Sequence, residues 1–175
     1  VIQVKLFQPQ AFLARPENRY LPPAYLELFH EGEEKHQVMC RGIETLAAFK
    51  FDLDQWLLRE LHRAGVPLLL GTDSGTGGMG IVAGFSIHDE LRILVENGFS
   101  PYEAIATGTV NASRAVQDMV GDGDFGVIEV GRRADLLLLY ENPLEDVGAV
   151  QDLVGVMAAG RWYSREALDR MIAID

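Results

Sequence analysis

The stretch VPLLLGTDSGTGGMG, Val66 to Gly80, decides how this chain is read. Its first five residues are too short for a helix and apolar on both faces. That predicts a strand of a parallel sheet covered on both sides. The remainder is rich in glycine and carries one acid, Asp73. Several chemistries compete for such a loop. Gly75-x-Gly77-x-x-Gly80 fits a dinucleotide fingerprint, and Asp73-Ser74-Gly75 has the composition of a serine nucleophile. A lone carboxylate just past a strand end suits a metal hydrolase. A fourth reading is a plain βα turn, because Asp, Ser and Gly are turn formers by their own backbone chemistry.

A dinucleotide site needs a helix that starts at the glycines, so that its N-terminus meets the pyrophosphate. Here Ile81-Val82-Ala83-Gly84-Phe85 intervene before Ser86, and no second acid-ended strand follows at the required distance. A serine nucleophile needs a G-x-S-x-G frame and a partner base. Thr72 stands where the first glycine belongs, and no histidine can be assigned as partner. The turn and the strand-end carboxylate remain. In a βα-barrel the loops after the strands form the active-site face, and a carboxylate there can bind a divalent metal or take a proton from water.

Composition narrows the field. The chain has 175 residues, 48% of them hydrophobic, which is enough to build a core. A formal net charge of -11 argues against nucleic acid or an anionic membrane as partner, since both call for clustered Lys and Arg. The single cysteine, Cys40, excludes an internal disulfide and a cysteine-rich zinc site. No apolar run approaches the roughly 20 residues that span a bilayer. No signal peptide is visible, and the chain opens at Val1 as if inside a strand, which suggests part of a longer polypeptide. The sequence leaves its location unknown, with the cytoplasm as the default expectation.

Outward from the opening stretch, residues 1–7 read as a strand and residues 8–23, with four prolines, as an extended connection. Residues 24–37 and 44–64 read as helices, the latter with Leu46, Phe49, Leu53, Leu57 and Leu61 at helical spacing, Asp52 or Asp54 as a cap for its second part, and Gly65 as its stop. Ser86 and Asp89 have the spacing of an N-cap and its N3 partner. Ser100-Pro101-Tyr102-Glu103 starts a further helix that continues through Val110 and Ala115. GVIEVG and ADLLLLY read as two strands around Gly131-Arg132-Arg133. VGVMAAGRWYS reads as a hairpin around Ala159-Gly160, and residues 165–174 as a short amphipathic helix.

These motifs occur in a recognisable order. GTDS after an apolar strand, GFSIHDEL, SPYEAI-x-x-GTVNASRAV, GRRADLLLLYENPLEDV and VGVMAAGRWYS together resemble the C-terminal part of metal-dependent amidohydrolases, above all the imidazolonepropionase- and prolidase-like members. The resemblance runs from about Ala64 to the end of the chain. It implies an α/β fold: the C-terminal part of a (β/α)8 TIM barrel, over residues 1–118, plus strands of a small β-sandwich and a terminal helix, over residues 119–175. It implies that Asp73, at the end of the eighth strand, is a metal ligand and general base, with one or two divalent ions, zinc foremost. Thr72 and Ser74 would orient the Asp73 carboxylate or shape its turn. His88, in the first turn of the following helix, would touch substrate or a neighbouring group, or pack locally. Asn111, far along the chain from the strand-end loops, and Asp135, before the LLLL run, are read as structural.

The same family carries an H-x-H pair on its first strand and further histidines on later ones. None of His30, His36, His62 and His88 matches such a motif. The expectation is therefore a hydrolase of amide-like C–N bonds in a small-molecule substrate, inactive as displayed. The remainder of its barrel would lie upstream or in another chain, with a homo-oligomer open. Two other classes stay in play: a binding or assembly module derived from a partial barrel, and a nucleotide-binding oxidoreductase on the Gly75–Gly80 pattern.

Overall fold

The computed structural model describes residues 6–74 and 80–173. They form two compact units. One is made of the described residues up to Ala64 and of Gly71–Glu90; the other is made of Gly65–Leu70 and the described residues from Leu91 onward.

The first unit is helical. Helix α1 (Pro9–Leu13), a 3-10 turn (Pro16–Tyr20), α2 (Pro23–His30), α3 (Lys35–Cys40) and α4 (Glu44–Arg63) follow one another. The extended connection expected over residues 8–23 is not there. Pro9, Pro16 and Pro23 each occupy the first position of a helix, where the missing N–H costs nothing and the fixed φ is already helical. Of the strand expected over residues 1–7, Leu6 and Phe7 are helical and the rest lies outside the described residues. The helix expected over residues 24–37 is two, α2 and α3, separated at Gly32, whose φ is +75°. The core joins Phe12, Leu21, Tyr25 and Phe29 to Val82, with Leu13, Tyr20, Leu26 and Phe85 against it. Phe12 is fully buried and tilts against Phe29 at 4.7 Å between ring centres.

Helix α4 keeps the expected span and ends at Gly65, φ +69°. It is unbroken, so Asp52 and Asp54 are interior; Asp54 pairs with Lys50 one turn back. None of its residues is buried, and Leu46, Phe49, Leu53, Trp56 and Leu57 lie exposed along it.

Helix α5 (Ser86–Glu96) begins in the first unit and ends in the second. In the second unit Leu91, Leu94, Phe99 and Ala104 are buried, as are Val147, Ala149 and Val150. Ser100 starts α6 (Pro101–Gly108) with a complete capping box: its hydroxyl accepts from Glu103 N–H, and the Glu103 carboxylate accepts from Ser100 N–H. The helix does not run on as expected. It breaks at Thr109 (φ −122°, ψ −95°), and α7 (Val110–Val120) starts afresh.

Strand β1 (Leu136–Leu139) pairs antiparallel with β2 (Leu153–Ala158), which pairs with β3 (Arg161–Ser164), in the order β1-β2-β3. The β2–β3 hairpin turns at Ala159 and Gly160, both with positive φ, which matches the right-handed strand twist. Helix α8 (Arg165–Ile172) packs on β2 and β3. The strand expected at GVIEVG is a loop. Ile128 and Val130 stand in solvent, and the backbone N–H groups of Arg132 and Arg133 are used within the loop, on Glu129 O and Asp124 O.

The larger correction concerns Val66–Leu70, which is not a strand. A parallel strand exists only beside a neighbour that accepts its ladder bonds. Leu70 N–H instead donates to Thr107 O, at 3.2 Å, and Leu68 O accepts from the Asn111 side-chain amide. Among the described residues the fold is thus helices with a small antiparallel sheet, and no closed (β/α)8 barrel is formed.

Candidate functional site

Asp73 is solvent-exposed and its φ is +56°, in the left-handed region. Asp enters that region more readily than most residues, yet such a backbone still needs support from its surroundings. Ser74 N–H donates to Thr72 Oγ1 at 3.3 Å, closing a side-chain turn around Asp73. Thr72 thus uses its hydroxyl oxygen on the backbone of this turn. Residues 75–79 of the glycine-rich loop lie outside the described residues.

The chain returns at Gly80, whose φ is +75°. A Cβ there would sit 2.9 Å from the Phe12 ring and 3.0 Å from the Tyr25 hydroxyl, so only glycine fits. Tyr25 hydrogen-bonds to Glu34, and burial, followed by the Glu34 charge, pushes the Tyr25 phenol well above its ordinary range. Glu34, itself buried, also caps α3 by accepting from His36 N–H at 2.9 Å and Gln37 N–H at 3.3 Å. His36 Nδ1 lies 3.2 Å from the same carboxylate.

His88 is half-buried in the first turn of α5. Ser86 is the first residue of α5. Ser86 Oγ accepts from Val82 N–H at 3.0 Å, and Asp89 takes part in an ion pair with Arg15, which also meets Glu17. That network ties the segment after α1 to the start of α5. Nothing local in the sequence announces a pair 74 residues apart. Burial pushes the neighbouring Glu90 carboxyl up. Of the other histidines, His30 is exposed and His62 half-buried on α4. Among the described residues no group of three or more His, Cys, Asp or Glu side chains is placed to hold a metal ion. No described helix is long and apolar enough to cross a membrane.

The residues read as structural behave differently from one another. Asp135 takes Ala159 N–H at 2.7 Å and Arg133 Nε at 2.6 Å, and these bonds hold its carboxyl below the usual range, the backbone bond first. Asn111 reaches 43 residues back to Leu68 O, at 3.2 Å, a contact that its sequence distance concealed.

The Amidohydrolase family model matches residues 52–163, from the middle of α4 to the end of the hairpin. The chain belongs to the amidohydrolase family. The ochratoxinase of Aspergillus niger is 37% identical over 91 residues, which are 51% of this chain and 17% of that protein. Two solved structures are similar to this chain. A Xaa-Pro dipeptidase with methionine bound in its active site has a TM-score of 0.52 at 28% identity, covering 63% of this chain and 25% of that one. Molinate hydrolase has a TM-score of 0.53 at 25% identity, covering 67% and 27%. The chain thus spans about a sixth to a quarter of the length of these relatives.

Proposed function

We propose that the chain is part of a metal-dependent hydrolase acting on C–N bonds, of amide, peptide-like or cyclic-amide type, and that Asp73 is its catalytic carboxylate. The observation that carries this reading is the state of Asp73 inside the family match. It is an exposed acid on left-handed backbone, held by the Thr72–Ser74 turn. Residues on such backbone cluster at functional sites, where the surroundings support the strain. In this reading Asp73 accepts a proton from the attacking water and delivers it to the leaving nitrogen. Ser74 and His88 would lie near the substrate or the carboxylate. One relative, the Xaa-Pro dipeptidase, is named for cleavage of a peptide bond, which supports an amide-like substrate.

The donor type of Asp73 suits a divalent ion, zinc foremost, as one ligand. The described residues do not by themselves supply the three protein ligands that a catalytic zinc usually takes, so the others would come from outside them. A bound ion would polarise the scissile carbonyl and acidify water. The barrel units would occupy residues 1–118 and the sandwich strands 119–175, with the remaining barrel upstream or in another chain.

Turnover of amide-type substrates by the intact protein tests this. Asp73→Asn should lower kcat by about 10²–10⁴-fold, the range for loss of a general acid or base. Wild-type turnover in that variant would remove Asp73 from the mechanism. The exposed apolar face of α4 favours a second reading, an assembly module, which predicts a stable complex and no turnover in either form.

A further inference from the structure

Within the first unit, the segment after α1 grips the chain on both sides of His88. Arg15 reaches Asp89, the residue after His88, in a part-buried ion pair, and its Nε donates to Glu17 at 2.6 Å. Tyr20 stacks on Phe85, three residues before His88, with 5.1 Å between ring centres. Arg19 lies over the same Tyr20 ring, 4.8 Å from its centre, and donates to the Tyr20 hydroxyl at 2.7 Å. Val82, in the core with Phe12 and Tyr25, accepts from Ser86 N–H at 3.0 Å and from Phe85 N–H at 3.1 Å. His88 N–H in turn donates to Phe85 O at 3.1 Å. The turn that carries the imidazole therefore hangs on the residue that Tyr20 stacks against. An acid in the first turn of a helix is already favoured by the helix N-terminus. A part-buried ion pair adds little net stability to that, while the guanidinium fork adds a fixed geometry.

We infer that Arg15 and Tyr20 are positioning residues for His88, because by holding Asp89 and Phe85 they fix the first turn of α5 on either side of it. Losing the Arg15 cation leaves the Asp89 carboxylate without this donor and loosens the turn. The inference rests on the reading of His88 as a residue beside the substrate, and its test separates the two.

Amide hydrogen exchange of the intact protein reads the grip directly. In Arg15→Gln, exchange at the His88 amide should speed up by about ten- to a hundredfold, the range for one hydrogen bond to a charged group, while β2 and β3 stay protected. Arg15→Lys keeps a cation for Asp89 and should restore much of the protection. In turnover of a panel of Xaa-Pro dipeptides, Arg15→Gln should raise KM by about tenfold with kcat little changed, the pattern of lost substrate binding. His88→Ala should raise KM alike, and adding Arg15→Gln to it should bring no further rise, since both changes act through one imidazole. If Arg15→Gln does not fold, Tyr20→Ala, with Tyr20→Phe as its conservative counterpart, carries the same comparison. Unchanged exchange at His88, or a rise shared equally by β2 and β3, overturns the grip. Faster exchange with unchanged KM, or KM effects that add in the double variant, overturns the positioning role. His88→Ala with wild-type KM overturns the reading of His88 itself, and shows in turnover alone.

Discussion

Two apolar runs of similar length, Val66–Leu70 and Leu153–Ala158, end in different structures. The second is a strand because the chain supplies both its partners, β1 on one side and β3 on the other. Gly155 makes room for Trp162, and Asp135 fastens the turn through Ala159 N–H. The first run has no strand beside it among the described residues. Its backbone is held instead by the end of α6 and a side chain of α7. Apolar patterning therefore says that a segment is to be covered, while strand structure depends on where the ladder bonds find partners.

The largest effect that would break this comparison falls on the hairpin. A side chain at Gly155 meets the Trp162 ring at 2.3 Å and the backbone oxygen of Tyr163 at 2.6 Å. Gly155→Val should cost about 1–3 kcal/mol in chemical denaturation, from overpacking against the Tyr163 backbone oxygen and displacement of the Trp162 ring. Amides of β2 and β3 should lose protection, and Leu70 should keep its own. Ser100→Ala tests the other side. Loss of the cap should cost about 1 kcal/mol and fall on α6, whose Thr107 carbonyl holds Leu70. Exchange at Leu70 should then quicken while the hairpin is untouched. A smaller change of opposite sign is expected at Ala159, a non-glycine residue at φ +47°. Ala159→Gly should raise stability by roughly 0.5–1 kcal/mol in thermal melts, because glycine adopts this conformation without the steric cost.

The smallest effect is on pH dependence. Asp135 has a depressed pKa when folded, so its contribution is present above its ordinary value of 3.8 and fades as pH falls through the lower folded value. The group is solvent-exposed, which keeps the effect small. Asp135→Asn should flatten stability between about pH 4 and the acid transition, measured by denaturation across that range. An unchanged acid limb would show that the Ala159 and Arg133 bonds do not couple to folding.

Local signals in the sequence were good guides at several places where the partner was also local. The helix start at Ser100-Pro101, the Gly65 stop, the long α4 and the Ala159-Gly160 hairpin all involve residues within a few positions of each other. The ordered motifs from GTDS to GRWYS likewise led to the family. Prolines misled at residues 8–23, since the same residue that breaks a helix interior starts a helix at its first position. GVIEVG alternates like a strand, yet its glycines and the Arg132 and Arg133 N–H groups commit it to a loop. The Arg15–Asp89 pair and the Asn111–Leu68 bond were invisible because they join residues 74 and 43 positions apart. At the candidate site the sequence singled out Asp73 and its Thr72–Ser74 frame, and the left-handed backbone there had only a weak cue, the readiness of Asp to adopt it.

Metal content tests the central claim most directly. Elemental analysis of the intact wild-type protein and of Asp73→Asn, purified side by side, should find about one or two divalent ions per chain in the first and clearly less in the second. Equal metal content in both, or none in either, would contradict the assignment of Asp73 as a ligand.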